Sequence, residues 1–446
     1  MALCGLIACV CIHLFAAPVR AIAQDSTAQI DTSDATIFPP PTIRKTLRAL
    51  RIHEPLVMDG KLSETVWQRA PMATGFLQNE PHQGQQASFD TEVRVLFDDE
   101  NLYIGAFCRD TTGYAGVRAP NLQRDFSYDD NDIFGVVVDA FRSERNCLAF
   151  QVNPYGALRD LQAFDDAFYD RDWDAIWQAR THVTDSGWTA ELVIPWATLR
   201  YPLDSNGLAA GTWGVNFLRN IRRLNQVTGW SLWPRAFTTY RMTYAGLLTG
   251  LEPPPPRTNV RVQPYAVLRS ATSVQGVQWQ FGGEAKWAVT PSTVLDVTVN
   301  TDFAQADVDR QVVNLRRFSV FFPERRQFFL EGASLFTVGD NYAQVQPFFS
   351  RRIGLDDDGN PLPIDAGCRI LSQSADRNIG ALLVRERATE DSPATTFGVA
   401  RYTHNIGSGS RIGGMVTARF DEEFVKESGS QRVVTPSNLN LVGVGD

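Results

Sequence analysis

Short segments in which apolar and polar residues alternate recur along this chain from about residue 52 to its end. A period of two residues places alternate side chains on opposite faces of a strand, so the pattern favours β-sheet. Thr91–Phe97, the turn Asp98–Asn101 and Leu102–Arg109 together predict a hairpin. Further strands are predicted at Ile133–Val138, Leu148–Val152, Trp177–Val183, Trp188–Ile194 and Val215–Ile221. Only the short stretch Ser63–Arg69 has a helical pattern, so the predicted fold class is all-β.

Four consecutive prolines, Pro253–Pro256, divide the chain into two parts. Proline fixes φ and lacks the N–H that a strand ladder needs, so we predict a stiff, extended linker over residues 252–258. The many short strands before it, separated by turns, predict a β-sandwich over residues 46–251. Residues 24–45 are rich in Asp, Thr, Ser and Pro, which predicts a disordered spacer.

The chain begins with an apolar run, Ala2–Ala17, followed by the small-x-small sequence Ala21–Ala23. This order is typical of a secretory signal peptide, so we predict export with residues 1–23 removed. Because no Lys or Arg precedes the run, a membrane anchor stays an alternative. Three cysteines would remain after cleavage, and a disulfide between Cys108 and Cys147 is considered.

The charge and the absence of known catalytic motifs argue against two classes of function, nucleic-acid binding and catalysis. The formal net charge is −8 at pH 7, and arginines scattered among acids supply nearly all of the positive charge. Without a basic stripe, nucleic acid is not an expected partner. The histidines are scattered, and the sequence has no H-x-x-x-H spacing, G-x-S-x-G elbow or Walker loop. Catalysis therefore has little support.

Beyond the prolines, alternation separates one apolar face from one polar face. In Gln278–Val289, Trp279 and Trp287 lie at the two ends of the apolar face. At about 3.3 Å per residue and a tilt of about 40°, they span about 20 Å, close to the apolar band of about 25 Å of an outer-membrane barrel. We predict an antiparallel membrane β-barrel domain over residues 259–446. A soluble antiparallel sheet has the same period and stays an alternative.

Two groups of segments resemble known families. Met58–Trp67 (MDGKLSETVW), with later segments beginning at Thr91, Phe150 and Trp173, resembles a family 9-type carbohydrate-binding module, a β-sandwich related to DOMON-like domains. The stretch Asp302–Phe336, with FFSRRIG following it, resembles the uncharacterised domain found after such modules in exported proteins of Gram-negative bacteria. That domain is predicted to be an outer-membrane β-barrel.

The resemblance implies a non-catalytic carbohydrate binder at the cell envelope. The sandwich would be periplasmic or at the surface, tethered to the outer membrane by the second domain. The expected partners are a glycan ligand and glycan-degrading enzymes, with a role in glycan uptake or carbohydrate catabolism.

Two features depart from these relatives, which are usually longer. We expect only about seven strands after the linker, whereas a closed bacterial barrel has about eight or more. The chain also ends within an apparent strand, at Leu441–Asp446, without a terminal aromatic residue. We therefore expect a truncated member with an incomplete barrel.

Aromatic and acidic residues are dense between Asp165 and Trp177. Sugar sites combine apolar walls with a few convergent polar groups. Tyr169 and Trp173 precede the strand alternation, so they are the candidates for stacking on a sugar. Asn153 in a turn and Arg219 near a strand end are candidates for contact with hydroxyls. Three tryptophans within alternating strands are predicted as core: Trp177, Trp188 and Trp196.

Carboxylate oxygens are also the ligands that calcium prefers, so calcium is considered as a cofactor although none is certain. The candidate ligands are Asp165, Asp166, Asp170 and Asp172, with a second acidic cluster at Asp129, Asp130 and Asp132. The spacing does not match an EF-hand loop, and a solvated loop is the alternative.

Three other interpretations stay open. A glycoside hydrolase needs two carboxylates at a defined separation, which a sequence does not supply. The DOMON-like relation would allow a haem binder that uses Met58 or a histidine. In the second domain, Arg316–Glu331 mixes arginine and glutamate with phenylalanine. Inside a barrel it would supply inward charge pairs or a plug, or it would line the lumen.

Overall fold

The structure, a computed structural model, describes most of the chain from residue 37 onward. The described residues are 37–164, 168–171, 173–202, 211–254, 259–269, 278–290, 293–301, 326–330, 333–336, 338, 347–355, 362–374, 376–389, 392–406, 410–428 and 431–445. The predicted signal peptide, part of the predicted linker and residues 302–325 lie outside them.

Before the prolines, the described chain is built from strands and one short α-helix, α1 (Thr65–Arg69). The strands are β1 (Thr46–Arg48), β2 (Leu50–Arg51), β3 (Met72–Ala73), β4 (Leu77–Glu80), β5 (Thr91–Phe97), β6 (Asn101–Arg109), β7 (Ile133–Asp139), β8 (Cys147–Val152), β9 (Leu158–Phe164), β10 (Phe168–Asp170), β11 (Gln178–Thr184), β12 (Gly187–Pro195), β13 (Trp213–Ile221), β14 (Gln226–Gly229) and β15 (Gly246–Thr249). The predicted hairpin is confirmed, since β5 and β6 pair in antiparallel register.

These strands form two sheets. The nine-stranded sheet has the order β1, β15, β13, β7, β8, β9, β10, with β14 attached to β13 and β4 attached to β14. The six-stranded sheet has the order β11, β12, β6, β5, β2, with β3 attached to β5. β10 ends one sheet and β11 ends the other, so residues 173–177 lie where the chain crosses between them. The all-β class and the sandwich-like fold predicted for this part of the chain are confirmed.

An apolar core lies between the two sheets. Strand β5 contributes Val93, Val95 and Phe97 to it because alternate side chains of a strand share a face. Removal of apolar area from water is the main force that favours this packing, at about 25 cal/mol per Å². The three tryptophans predicted as core are confirmed there: Trp177, Trp188 and Trp196.

The outer faces of both sheets are covered as well. Phe126, Trp233 and Tyr240, from loops, pack on the outer face of the nine-stranded sheet. Trp67, from the segment that contains α1, packs on the outer face of the six-stranded sheet. Every residue of β7 is therefore buried, and its sequence is continuously apolar rather than alternating up to its last residue.

After the prolines, the described residues contain ten strands where about seven were expected, and eight of them form one antiparallel sheet in the order β16–β22 and then β25. These strands are β16 (Asn259–Arg269), β17 (Gln278–Thr290), β18 (Thr293–Val299), β19 (Ile364–Gln373), β20 (Arg377–Glu386), β21 (Thr395–Ile406), β22 (Ser410–Asp421) and β25 (Asn438–Gly445). β23 (Phe424–Ser428) and β24 (Gln431–Thr435) form a separate hairpin. A one-turn helix, α2 (Gln327–Leu330), lies between β18 and β19.

The eight-stranded sheet has one exposed apolar face and one face that is partly covered. On the apolar face, Trp279 and Phe281 of β17 are each 65% exposed, and their rings are stacked. On the opposite face, Phe328 and Phe336 from the segment between β18 and β19 are buried. The alternation predicted for β17 is thus observed. Within the described ranges, no helix has the length and hydropathy needed to cross a membrane.

Residues 37–45, the last part of the predicted spacer, lie against the sandwich. The ring of Phe38 meets that of Tyr244 edge to face at 5.6 Å, and the Tyr244 hydroxyl donates to the Phe38 carbonyl at 2.6 Å. The Lys45 ammonium donates to the carbonyl oxygen of Trp230 at 2.6 Å. This part of the segment therefore differs from the disordered spacer predicted there.

The disulfide considered between Cys108 and Cys147 is not formed, and both residues are reduced cysteines. Cys108 belongs to the core between the sheets, whereas Cys147 belongs to the cluster on the outer face of the nine-stranded sheet. Burial raises the pKa of the Cys108 thiol to about 12, which keeps it protonated and unreactive at neutral pH.

Candidate functional site

Residues 173–177, the crossing segment, close one side of the sandwich core. The ring of Trp173 is half-buried and meets the ring of Phe150 edge to face at 6.1 Å. Trp177, at the end of the segment, meets the same ring at 5.3 Å. Asp174 lies between these tryptophans in the sequence, and its side chain is 75% exposed. The segment is thus anchored by aromatic rings on its inner side and carries an acid on its outer side.

Two charged residues fasten this segment to the nine-stranded sheet. Asp160 of β9 is buried and accepts a hydrogen bond from the backbone N–H of Ala175 at 2.5 Å. Arg124 forms an ion pair with Asp160 at 2.6 Å and a second one with Asp174. Burial raises the pKa of Asp160 to about 6, although the Ala175 N–H and Arg124 act in the opposite direction. Trp173 and Asp174 are therefore held in one defined orientation.

Tyr169 lies on the other face of the nine-stranded sheet. Its register partner in β9 is Ala163, which belongs to the cluster on the outer face. The Tyr169 ring lies 5.6 Å from that of Tyr240, and the Arg171 guanidinium lies 4.9 Å above it and donates to its hydroxyl at 2.9 Å. Trp173 packs towards the core instead. The two residues predicted to stack on a sugar therefore do not share a face.

Asn153 is fully buried, and its amide holds a turn together. Its Nδ2 donates to the carbonyl oxygen of Asn121 at 3.1 Å and to Oδ1 of Asn131 at 3.2 Å. Its Oδ1 accepts the N–H groups of Tyr155 and Ala157 at 3.1 Å and 3.0 Å. Both polar atoms have protein partners, so the geometry assigns Asn153 to the turn rather than to ligand contact.

Arg219 is also buried, within β13. Its Nη1 donates to the carbonyl oxygen of Asp90 at 3.2 Å and to the hydroxyl of Thr91 at 3.3 Å. These bonds tie β13 in the nine-stranded sheet to the start of β5 in the six-stranded sheet. The position suits a cross-link between the sheets and is not open to a glycan.

The candidate calcium ligands are only partly described. Asp165, Asp166 and Asp172 lie outside the described residues, as does the side chain of Asp170, whose backbone belongs to β10. Their metal binding stays a prediction. Across the ranges that the structure describes, no group of three or more His, Cys, Asp or Glu side chains is placed to hold a metal ion.

In the second acidic cluster, Asp132 is buried while Asp129 and Asp130 are exposed. The Asp132 carboxylate accepts the backbone N–H of Arg118 at 2.8 Å and that of Arg222 at 2.7 Å. Burial raises the pKa of Asp132, and these two N–H groups partly offset that rise. Asp132 therefore joins two loops to each other.

No function was predicted for Glu191 from the sequence, yet its side chain holds the Met58–Trp67 stretch in place. Its buried carboxylate accepts the N–H groups of Asp59 at 3.1 Å and Gly60 at 2.7 Å, and the indole N–H of Trp67 at 3.2 Å. Burial raises the pKa of Glu191, partly offset by the Gly60 N–H. The sequence signal for this role was one acidic residue within the mainly apolar strand β12.

Gly60 completes this arrangement. Its φ is +84°, and a Cβ there would lie 2.7 Å from the backbone carbon of Thr181, so only glycine fits. Met58, considered above as a haem ligand, packs half-buried against the apolar cluster that contains Trp67. The stretch that carried the resemblance thus covers the outer face of the six-stranded sheet.

Two parts of the chain match family models. Residues 58–220 match the model described as "Carbohydrate family 9 binding domain-like", and residues 254–370 match "Domain of unknown function (DUF5916)". The sandwich therefore contains a family 9-like carbohydrate-binding domain, and the second domain type follows it, as the resemblance implied. The match supports carbohydrate binding by a non-catalytic module. No curated protein matches the chain.

Six solved chains are similar to part of this chain, including the following three. A family 9 carbohydrate-binding module from Caldicellulosiruptor kristjanssonii in complex with cellotriose is 15% identical, with a TM-score of 0.33, over 46% of this chain and 93% of that one. A structure of the same description in complex with glucose is 14% identical, with a TM-score of 0.33, over 46% and 95%. A protein from Bacteroides uniformis, named as a carbohydrate-binding candidate, is 12% identical, with a TM-score of 0.38, over 46% and 99%.

Proposed function

We propose that the sandwich binds a glycan without cleaving it. The observation that carries this proposal is the match of residues 58–220 to the family 9-like carbohydrate-binding model. We assign the ligand surface to the crossing segment, where Trp173, Asp174 and Arg124 lie together at the sandwich edge. A sugar packs its C–H faces on aromatic rings and its hydroxyls on charged groups, so this combination suits it.

The anchoring of the crossing segment supports this assignment. Binding costs less free energy when the contact groups are already held in place. Trp173 is braced by Phe150, and Asp174 is braced by Arg124, which Asp160 positions in turn. Asp174 and part of Arg124 stay exposed, so hydroxyl groups of a ligand can reach them.

A glycan array with the exported full-length chain tests the proposal, with and without calcium. We expect retention of at least one glycan and no release of reducing sugar. Asp174→Ala should weaken binding about tenfold, since a hydrogen bond to a charged group contributes about 1.5–3 kcal/mol. Glu54→Ala, which removes another exposed acid on the segment covering the six-stranded sheet, is the matched control. Failure to retain any glycan, or equal loss in both variants, would refute the proposal.

We further propose that the second domain lies in the outer membrane as a barrel-type domain and holds the sandwich at the cell envelope, either in the periplasm or at the surface. The exposed face of the eight-stranded sheet supports this proposal. A row of apolar or small side chains runs across its strands in register: Val262, Ala285, Val297, Cys368, Leu383, Gly398, Ala418 and Leu441. Apolar surface of this extent is costly in water and marks a contact with lipid or protein.

Flotation with vesicles of phosphatidylethanolamine and phosphatidylglycerol tests the membrane placement. We expect the full-length chain to float with the vesicles. Leu383→Arg should reduce the floating fraction, because a charge on the lipid face costs about 2–4 kcal/mol at mid-membrane depth. Leu383→Ile keeps the apolar character and is the control. Leu383 is exposed in the sheet, so equal flotation of the two variants would contradict a lipid contact there.

A further inference from the structure

Three large apolar or aromatic side chains on loops of the sandwich are exposed near the crossing segment. They are Leu122, 68% exposed, Tyr114, 59% exposed, and Tyr155, 50% exposed. A single exposed apolar side chain is ordinary on a protein surface, whereas several next to one another mark a contact surface. Their relative positions therefore decide whether they act together.

Leu122 lies close to Tyr155 because one buried amide holds both of their loops. The carbonyl oxygen of Asn121 accepts Nδ2 of Asn153 at 3.1 Å. Oδ1 of the same Asn153 accepts the N–H of Tyr155 at 3.1 Å. Leu122 follows Asn121 directly, so the two exposed side chains are neighbours.

The loop that carries Leu122 also reaches the crossing segment. Arg124, three residues after Asn121, forms its ion pair with the exposed carboxylate of Asp174. Three residues of chain span at most about 11 Å. Leu122 and Tyr155 therefore continue the surface that we assign to the glycan.

Tyr114 extends this surface along β11, which is the end strand of the six-stranded sheet. Its hydroxyl donates to the carbonyl oxygen of Val183 at 2.6 Å. The turn that carries Tyr155 meets the same strand, since a Cβ on Gly156 would lie 3.5 Å from the hydroxyl oxygen of Thr181. Thr181 and Val183 are two residues apart, which is about 7 Å along a strand. The two tyrosines are thus held beside neighbouring points of β11.

The chemistry of these groups suits a sugar. A tyrosine combines an apolar ring face with a polar hydroxyl, so it can pack on C–H groups and still meet hydroxyls. The bond to Val183 fixes Tyr114 in advance, which lowers the cost of ordering it on binding. Arg118 supplies a charged group nearby, since its guanidinium donates to the carbonyl oxygen of Ala115 at 3.2 Å.

We propose that Leu122, Tyr155 and Tyr114, the tyrosine strip, bind the further sugar units of a linear glycan whose first units lie on the crossing segment. The ligand class is therefore a polysaccharide chain rather than a free monosaccharide or disaccharide. This inference rests on the glycan binding proposed above. From Asp174 to Tyr114 the surface extends on the order of 20 Å, several times the width of one sugar ring. A chain held at one end presents its next units to the strip at a high effective concentration.

Binding of short and long oligosaccharides of the same type tests the tyrosine strip. The probes are cello-, xylo-, manno- and chito-oligosaccharides of two and six sugar units, titrated into the full-length chain in a calorimeter. We expect a six-unit probe to bind about tenfold more tightly than the two-unit probe of its series. Tyr155→Ala and Tyr114→Ala should each weaken six-unit binding about tenfold. Neither should change two-unit binding, because a short probe reaches only the crossing segment.

Two controls separate the ring from the fold. Tyr155→Phe keeps the ring, so it should retain most of the six-unit affinity. Met72→Ala removes another exposed apolar side chain, on β3 at the other end of the six-stranded sheet, and should change neither affinity. Unchanged two-unit binding also shows that each variant is folded.

The outcomes that overturn the strip differ from those that overturn glycan binding. Equal wild-type affinity for the two lengths would overturn the tyrosine strip alone. Tyrosine variants that bind the six-unit probe as tightly as Met72→Ala does, or that lose affinity for both lengths alike, would do the same. A wild-type chain that binds no probe of either length would overturn the proposed glycan binding and the strip with it.

Discussion

Buried polar side chains tie the covering segments of the sandwich to its sheets. Glu191 binds the N–H groups of Asp59, Gly60 and Trp67, and Asn153 closes a turn from within. A buried carboxylate or amide without partners would cost free energy, whereas one that accepts several N–H groups specifies where a loop must lie. A buried polar side chain can therefore hold a loop in place rather than bind a ligand.

Glu191→Gln should lower the free energy of unfolding by about 2 kcal/mol, because an amide has one acceptor oxygen where the carboxylate uses both. Oε2 of Glu191 accepts the N–H groups of Asp59 and Gly60, and Oε1 accepts the Trp67 indole. The new NH₂ group would face one of these donors. Urea unfolding measures the change, with the exposed Glu54→Gln as the control. Equal midpoints for the two variants would contradict the role of Glu191.

Asp139 should make the sandwich less stable as pH rises. Burial raises its pKa from 3.8 to about 6, although the Glu144 N–H and Ser143 act in the opposite direction. The folded chain thus holds the proton more tightly than the unfolded chain. The stability contribution is full below pH 3.8 and is lost as pH rises through about 6. The loss is about 3 kcal/mol at about 1.4 kcal/mol per pKa unit.

Urea unfolding at pH 4 and pH 7 measures this contribution. Asp139→Asn removes the titrating group, so the difference between the two pH values should shrink relative to wild type. Asp160, whose pKa is also raised to about 6, should keep part of the pH dependence in that variant. An unchanged difference in Asp139→Asn would show that Asp139 does not titrate in this window.

At the scale of elements, the position of a strand in its sheet decides how its pattern is expressed. β7 lies inside the nine-stranded sheet with both faces covered, and all of its residues are buried. β17 has a similar local conformation, but one of its faces stays exposed, so its tryptophans remain outside. The crossing segment depends on anchors from other elements, since Asp160 and Arg124 hold it from β9 and from a loop.

Arg124→Gln should loosen the crossing segment. It removes the ion pairs of Arg124 with Asp160 and Asp174, and buried Asp160 keeps the hydrogen bond from the Ala175 N–H. We expect faster hydrogen exchange across residues 173–177 and a loss of about 1–3 kcal/mol in unfolding free energy. The matched control is Arg51→Gln, which also removes two ion pairs, to exposed Asp99 and Glu252. Equal exchange in both variants would argue against Arg124 as an anchor.

At the scale of the whole molecule, the two parts of the chain bury apolar surface differently. The sandwich covers both faces of both sheets, with clusters around Tyr240 outside one sheet and Trp67 outside the other. The eight-stranded sheet leaves Trp279, Phe281 and Leu383 exposed on one face. The sandwich buries its apolar faces within the protein. The exposed apolar face of the eight-stranded sheet would be stabilised by contact with lipid or protein, which agrees with the proposed tether at the membrane.

Export should remove residues 1–23 and leave Gln24 as the first residue of the mature chain. The apolar run is followed by the small-x-small sequence Ala21–Ala23, which signal peptidases cleave. Mass spectrometry of the protein from the envelope fraction of a Gram-negative host measures the N-terminus. Ala21→Leu should block cleavage and leave a larger precursor. An intact Met1 in the wild-type envelope protein would favour the membrane anchor instead.

The sequence by itself determined the all-β class, the tryptophans of the core and the longer strands of the sandwich (β5–β8 and β11–β13), because period-two alternation is a local property. The hairpin of β5 and β6 follows from residues adjacent along the chain. The apolar row of β17 was also predictable, since the alternation of its side chains depends on one strand alone. The match of residues 58–220 agrees with the resemblance that the Met58–Trp67 stretch carried.

Only the tertiary structure decided which polar residues reach solvent and which face each aromatic ring takes. Asn153 and Arg219 are buried by loops and strands far away in sequence, so their polarity alone was misleading. Tyr169 and Trp173 are four residues apart, yet a sheet edge separates them onto different faces. Burial depends on which distant segments cover a face, and that information is not local to any stretch of the chain.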